Sequence, residues 1–188
     1  MGTDIHAVAQ AKVGGAWVDI ESKFDGGRHY NLFAHLAGVR NGSGFAGCDT
    51  GDAVTPIQEG RGFPDDFSLD DNGYGEYHNG EWMGDYSHGW VSASEVLSHN
   101  WQQGNHRGII TIEQYKEWDG GYPNGWCGGI GGLSVVLAEC PDDITEGTTH
   151  VRVEWQRSTD EFDYFIGEVK DMVSKYGPEV RIVFGFDS

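Results

Sequence analysis

Apolar and polar positions alternate from 4 to 13. Ile5, Ala7, Ala9, Ala11 and Val13 fall on one side of an extended chain, and Asp4, His6, Gln10 and Lys12 on the other. A period of two predicts a half-buried strand. Gly14-Gly15 is a hairpin signal, and 16–20, with Val18 inward, is the return strand. The period becomes helical over 31–40, where Leu32, Phe33, Leu36 and Ala37 share a side and Asn41-Gly42 ends the run. From 41 to about 86 no period survives, and Gly, Asp, Pro and Asn dominate an irregular acidic region that runs to 91.

Three capping boxes punctuate the second half: Ser92 with Glu95, Thr111 with Gln114, and Ser158 with Glu161. The first opens a helix carrying Val96, Leu97 and Trp101, and the second a helix to about 118. A Gly-rich loop over 120–132 and a short apolar run at 133–139 follow. Val151, Val153 and Trp155 then alternate. After the third box, Phe162, Phe165, Ile166, Val169, Met172, Val173 and Tyr176 recur at helical spacing until Gly177-Pro178. Val180, Ile182, Phe184 and Phe186 form a last strand. A parallel pairing of those two strands would need a right-handed crossover. The pattern predicts one α+β domain over 1–188: a mixed sheet with an N-terminal hairpin, a C-terminal β-α-β unit, short covering helices and a long Gly/Asp/aromatic loop.

A length of 188 residues can bury a real core without staples. The three cysteines, Cys48, Cys127 and Cys140, are widely spaced with no CxxC pair, so neither a disulfide framework nor a Cys-based zinc site is expected. Met1-Gly2-Thr3-Asp4 opens no signal peptide, and no apolar run reaches bilayer length. A reducing cytosol is the expected setting. The net charge of −18 argues against broad binding to nucleic acid or anionic lipid, which need Lys and Arg. It is compatible with plain solubility or with a basic partner.

Against that background a few polar residues carry the candidate chemistry. Asp4 and His6 leave one face of the first strand, where a carboxylate can orient an imidazole or share a divalent metal with it. The plainer reading is an ordinary polar strand face. His88, just ahead of a helix, joins them as a candidate catalytic or metal-binding residue if the chain brings it near. Asp70, Asn72, Gly75 and Glu81 fall on positions one, three, six and twelve of a calcium loop, but Tyr74 spoils the fifth. Arg28, Arg40 and Arg61, with Tyr30 and Trp90, are candidate ligand-binding residues: guanidiniums for phosphate or carboxylate, rings for stacking. The competing reading has the arginines neutralise nearby aspartates. Between 62 and 106 there is no Lys or Arg, while Asp65, Asp66, Asp70, Asp71, Glu76, Glu81 and Asp85 interleave with aromatics, a candidate surface for a basic protein. A loop folded over its own tyrosines explains the same pattern. The glycines at 128–132 lack a P-loop ending, and no GxSxG or HExxH occurs.

Taken together, Thr3-Asp4-Ile5-His6, the run from Arg28-His29-Tyr30 to Gly38-Val39-Arg40, Gly60-Arg61-Gly62-Phe63-Pro64-Asp65-Asp66, Ser87-His88-Gly89-Trp90 and the final Val180 to Asp187 segment resemble a family of small accessory proteins from tailed bacteriophages. The chain departs from that pattern at Tyr86, where a second histidine is expected, which weakens a metal site there. The resemblance implies a viral protein in the cytoplasm of an infected bacterium and carries no established activity. Three expectations follow. The first is a defence antagonist that binds a small nucleotide-derived ligand through Arg28, Tyr30, Arg40, Arg61 and Trp90. The second is an acidic inhibitor, or DNA mimic, blocking a basic host defence protein. The third is a His/Asp-dependent phosphodiesterase or hydrolase, metal-assisted or metal-free.

Overall fold

The computed structural model describes residues 2–24, 27–71 and 73–188. Chain order is β1 (Asp4–Val13), β2 (Ala16–Asp19), α1 (Tyr30–Ala37), β3 (Tyr77–His78), β4 (Glu81–Trp82), β5 (Tyr86–Ser92), α2 (Ala93–Ser98), β6 (Asn105–Thr111), α3 (Ile112–Glu117), β7 (Leu137–Ala138), β8 (His150–Gln156), α4 (Asp163–Tyr176) and β9 (Val180–Asp187). The architecture is α+β, with the N-terminal hairpin and the C-terminal strand–helix–strand in place. No helix among the described residues is long and apolar enough to cross a membrane.

The strands do not join one sheet. β2-β1-β9-β5 form an antiparallel four-stranded sheet, β6-β8-β7 a mixed three-stranded one, and β3-β4 a two-stranded ribbon. The strands flanking α4 therefore lie in different sheets, and no parallel crossover joins them. Burial explains the division. Every residue of β9 from Val180 to Phe186 is buried, so it requires a neighbour on each edge and cover on each face. β8 buries only Val151, Val153 and Trp155, with the residues between them turned outward.

On the inner face of the larger sheet, β1 sets small buried residues beside the bulk of β9: Ala9 pairs with Ile182 and Ala11 with Val180. Leu32, Phe33 and Leu36 of α1, Val96 of α2, and Phe165, Val169 and Met172 of α4 close over them, all buried. Each such side chain contributes roughly 1.5–3 kcal/mol by leaving water. The outer face is roofed by the irregular region: Val8, Val183 and Trp90 pack beneath Phe63, Phe67 and Met83. That region is less featureless than its composition predicts, because it holds the β3-β4 ribbon and runs into β5 at Tyr86.

The roof is pinned by polar links. Arg181 Nε donates to Gln10 Oε1 (2.9 Å), Gln10 Nε2 to Asp19 Oδ1 (2.8 Å), and Asp19 meets the buried His78 ring (2.9 Å) and Asn79 (2.7 Å). Asp70 accepts from the Asn79 and Gly80 amides, an ordinary turn role. The calcium pattern includes Asn72, which lies outside the described residues. Backbone meets backbone at the seam: a methyl on Gly185 would collide with the Met83 carbonyl and the His88 ring, and a Cβ on Gly84 would come within 2.6 Å of the Phe186 nitrogen.

Candidate functional site

The capping boxes at Ser92/Glu95 and Thr111/Gln114 form with both reciprocal bonds. The one at 158 does not. Ser158 Oγ accepts from the Asp160 amide (3.2 Å), and Thr159–Phe162 is a 3-10 turn that leads into α4 at Asp163. Glu161, freed from capping, reaches inward. Its Oε1 accepts from Asn31 Nδ2 (2.5 Å) and His29 Nε2 (3.1 Å), and its Oε2 from His106 Nε2 (2.9 Å). Three segments distant in sequence thus converge: the start of α1, β6, and the entry to α4. A carboxylate only accepts, so both imidazoles present N–H to it. Burial alone would raise the Glu161 carboxyl, but hydrogen bonds from His106, His29 and Asn31 outweigh it and hold the group well below the usual range.

Glu161 lines a hollow of about 530 Å³, the size of a small-ligand site. Its walls carry Tyr30, Phe45, Tyr122 and Trp126, with Arg28 at one side and Cys48 and Cys127 at another. Phe45 is 62% and Tyr122 69% exposed. Trp126 Nε1 donates to the Tyr122 hydroxyl (3.2 Å), which fixes the two rings relative to each other. Arg28 pairs with Asp4 through Nε (2.8 Å) and Nη2 (3.1 Å) on the surface. A planar ligand with N–H groups finds here both ring faces and a fixed carboxylate.

Behind Glu161 lies a second layer of polar groups. His35 is fully buried, shares a hydrogen bond between its Nδ1 and His99 Nε2 (2.8 Å), and packs against Trp101 and Phe162. Burial first, and then the neighbouring His99 and Arg157, push His35 down to about 3. His106 Nδ1 is buried with no hydrogen-bond partner among the described residues. Arg157 donates to the backbone carbonyls of Asp52 (2.8 Å) and Gln103 (3.2 Å).

The residues singled out by sequence divide among separate places. Arg28 and Tyr30 line the Glu161 hollow. Arg40 sits behind Tyr30, over its ring at 5.4 Å, and its Nε donates to Thr3 Oγ1 (2.9 Å). Arg61 and Trp90 belong to another hollow on the roofed face, with Arg61 bound to both oxygens of Glu95 (2.7 and 3.1 Å). Burial would raise the Glu95 carboxyl, but Arg61 and the Ser92 amide and hydroxyl bring it down to about 2.

His6 and His88 both approach Gly185 but turn apart. His6 takes Asp187 (3.2 Å) and the Trp82 ring, while His88 takes the Gly84 carbonyl (3.0 Å) and stacks on Phe63. With Asp4 engaged by Arg28, the Asp4/His6/His88 metal arrangement does not assemble. Among the described residues no group of three or more His, Cys, Asp or Glu is placed to hold a metal ion. Of the acidic series, Asp66 binds Arg181 (2.7 Å) and Asp70 caps a turn, while Asp65, Asp71, Glu81 and Asp85 lie exposed and Glu76 half-buried.

The pattern of the sequence does not single out His29, Asn31, His106, Tyr122, Trp126 or Glu161 as a set. The available signals are that His29 lies between Arg28 and Tyr30, and that two aromatics stand in a Gly-rich loop. Comparison of the chain with protein-family models, with curated proteins and with solved structures finds no match.

Proposed function

We propose that this chain is a small-ligand-binding protein, and that its ligand is a nucleotide-type molecule seated against Glu161. One observation carries the reading: a fixed, strongly acidic carboxylate opens onto an aromatic-walled hollow of ligand size. Glu161 Oε2 has a single hydrogen-bonded partner and retains capacity for an N–H donor on a base edge. Tyr122 and Trp126 supply stacking faces. Arg28, held among the described residues by a surface pair with Asp4, is available to a phosphate that outcompetes it. Together with the resemblance to phage accessory proteins, this supports a role in an infected bacterium as an antagonist of host defence that sequesters a nucleotide-derived signal. Of the five residues expected to form one pocket, the reading keeps Arg28 and Tyr30 and transfers the remaining work to Glu161 and the two rings.

Calorimetry against cyclic and ADP-ribose-type nucleotides tests this. Binding is expected to weaken at least tenfold in Glu161→Gln, and Arg28→Ala is expected to weaken nucleotides but not the matching nucleosides. Silence across the panel rejects the proposal.

A hydrolase is favoured by a different observation. His29 sits between Glu161 (3.1 Å) and the Tyr164 hydroxyl (3.0 Å), so a carboxylate orients an imidazole that faces a hydroxyl. That is the arrangement of a general base. It moves the expected His-dependent chemistry from His6 or His88 to His29. Phosphodiester turnover that disappears in His29→Ala and persists in His6→Ala would establish it. Absence of turnover beside intact binding would leave the ligand-binding reading alone.

A further inference from the structure

The roofed face of the larger sheet holds its own hollow of about 480 Å³, walled by Trp17, Arg61, Phe63, Trp90 and Arg181. Two cations and two carboxylates, Asp65 and Asp66, share its lining in a chain of net charge −18. Each guanidinium lies against an indole, Arg61 at 4.7 Å from the Trp90 centroid and Arg181 at 4.1 Å from that of Trp17.

The two arginines differ in what they have left to give. Arg61 donates to both Glu95 oxygens and to the Trp90 carbonyl (2.9 Å), so it serves as a wall. Arg181 rises from the buried strand β9, and the residue is only 3% exposed. Its Nε is spent on Gln10 and its Nη1 on one oxygen of Asp66, whereas Nη2 is buried with no acceptor among the described residues. An unmatched guanidinium N–H away from water is costly. Its nearest counter-charge, Asp66, is 57% exposed and engages it through a single oxygen.

We infer that this hollow is a carboxylate-binding site, in which a flat aromatic monocarboxylate engages the Nη1 and Nη2 edge of Arg181 and displaces Asp66. The fork of a guanidinium fits two carboxylate oxygens, which satisfies the idle Nη2. Charge sets the class. The ligand replaces one carboxylate by another, so a monoanion keeps the balance, whereas a phosphate dianion would add charge beside Asp65 and Asp66. The indoles of Trp17 and Trp90 select a flat apolar body. The site is separate from the Glu161 hollow and stands whether or not that one binds nucleotides.

The test is a titration of the full chain with benzoate, benzamide and inorganic phosphate, followed by the indole N–H resonances of Trp17 and Trp90. Benzoate is expected to shift both, and the isosteric amide and phosphate neither. Asp66→Asn, a surface change, is expected to tighten benzoate by about tenfold by removing the competing carboxylate. Arg181→Gln and, should that variant not fold, Trp17→Ala on the exposed hairpin are each expected to abolish the shifts. Equal response to benzamide, preference for phosphate, or an Asp66→Asn protein that binds benzoate no better than the parent overturns the inference.

Discussion

Glu161 and Arg181 are both charges withdrawn from the surface, and their surroundings are built on opposite plans. Glu161 is met by three donors, His106, His29 and Asn31, none of which is a fixed cation. Arg181 is met by a carboxylate and an amide oxygen, which leave the cluster near neutral with one nitrogen, Nη2, unmatched. The first keeps a net negative charge beside its hollow and calls for donors. The second calls for a better acceptor. The chain's overall acidity therefore predicts neither site, because each hollow reports only the groups within a few ångströms of it.

Breaking the first cluster should cost most. Glu161→Gln turns an all-acceptor group into one that presents N–H to a histidine or to Asn31, and should lower unfolding stability in urea by about 3 kcal/mol. A loss well under 1 kcal/mol would show that the cluster serves binding without supporting the fold.

Acid should reveal the same side of the molecule. His35, behind Glu161, stays neutral in the folded protein down to about pH 3, whereas in the unfolded chain it takes a proton near its ordinary value of 6.5. Between those limits only the unfolded chain binds the proton. Stability therefore falls as the pH drops, on the order of 2 kcal/mol between pH 7 and 5. His99 is depressed by burial and acts in the same sense. The lowered carboxylates Glu161 and Glu95 contribute nothing to this window, since their stabilisation is lost only below about 4.5. Urea midpoints at several pH values, compared with those of His35→Leu, separate the two effects. An unchanged slope in the variant would reject the assignment.

On the roofed side the effects should be smaller. Arg61→Ala removes a half-exposed ion pair and an indole contact and should cost about 1 kcal/mol. It should also restore Glu95 toward its ordinary value, so that the stabilisation present above pH 4.5 and lost toward pH 2 disappears. Asp66→Asn alone should fall within about 0.5 kcal/mol.

Legibility in the sequence followed the range of the interaction. The hairpin at Gly14-Gly15, the boxes at Ser92 and Thr111, and the long amphipathic α4 rest on neighbours within one turn or strand, and all appear as expected. β5 and β6 were harder to see. Ser87 adopts a positive φ beside a register shift between Tyr86 and Gly89, which breaks the alternation, and Asn105–Thr111 mixes polar and apolar residues because only parts of it are covered. Glu161 shows the limit most clearly. Locally it completes a capping box with Ser158, and only the tertiary approach of His29, Asn31 and His106 diverts it. The expected single pocket failed for a related reason: Arg40, Arg61 and Arg28 each found a partner in a different part of the fold.

The close approach of Gly84 to the Phe186 backbone and of Gly185 to the Met83 carbonyl has an evolutionary consequence. Where a glycine lies against the main chain of another segment, trimming a side chain there makes no room for a larger residue, because a backbone atom has nothing to give up. Drift in this lineage should leave both glycines fixed while the acidic residues around them vary freely. A relative carrying a larger residue at either position must have let its roof swing away from the sheet, and with it the wall of the hollow that Trp90 and Arg181 share.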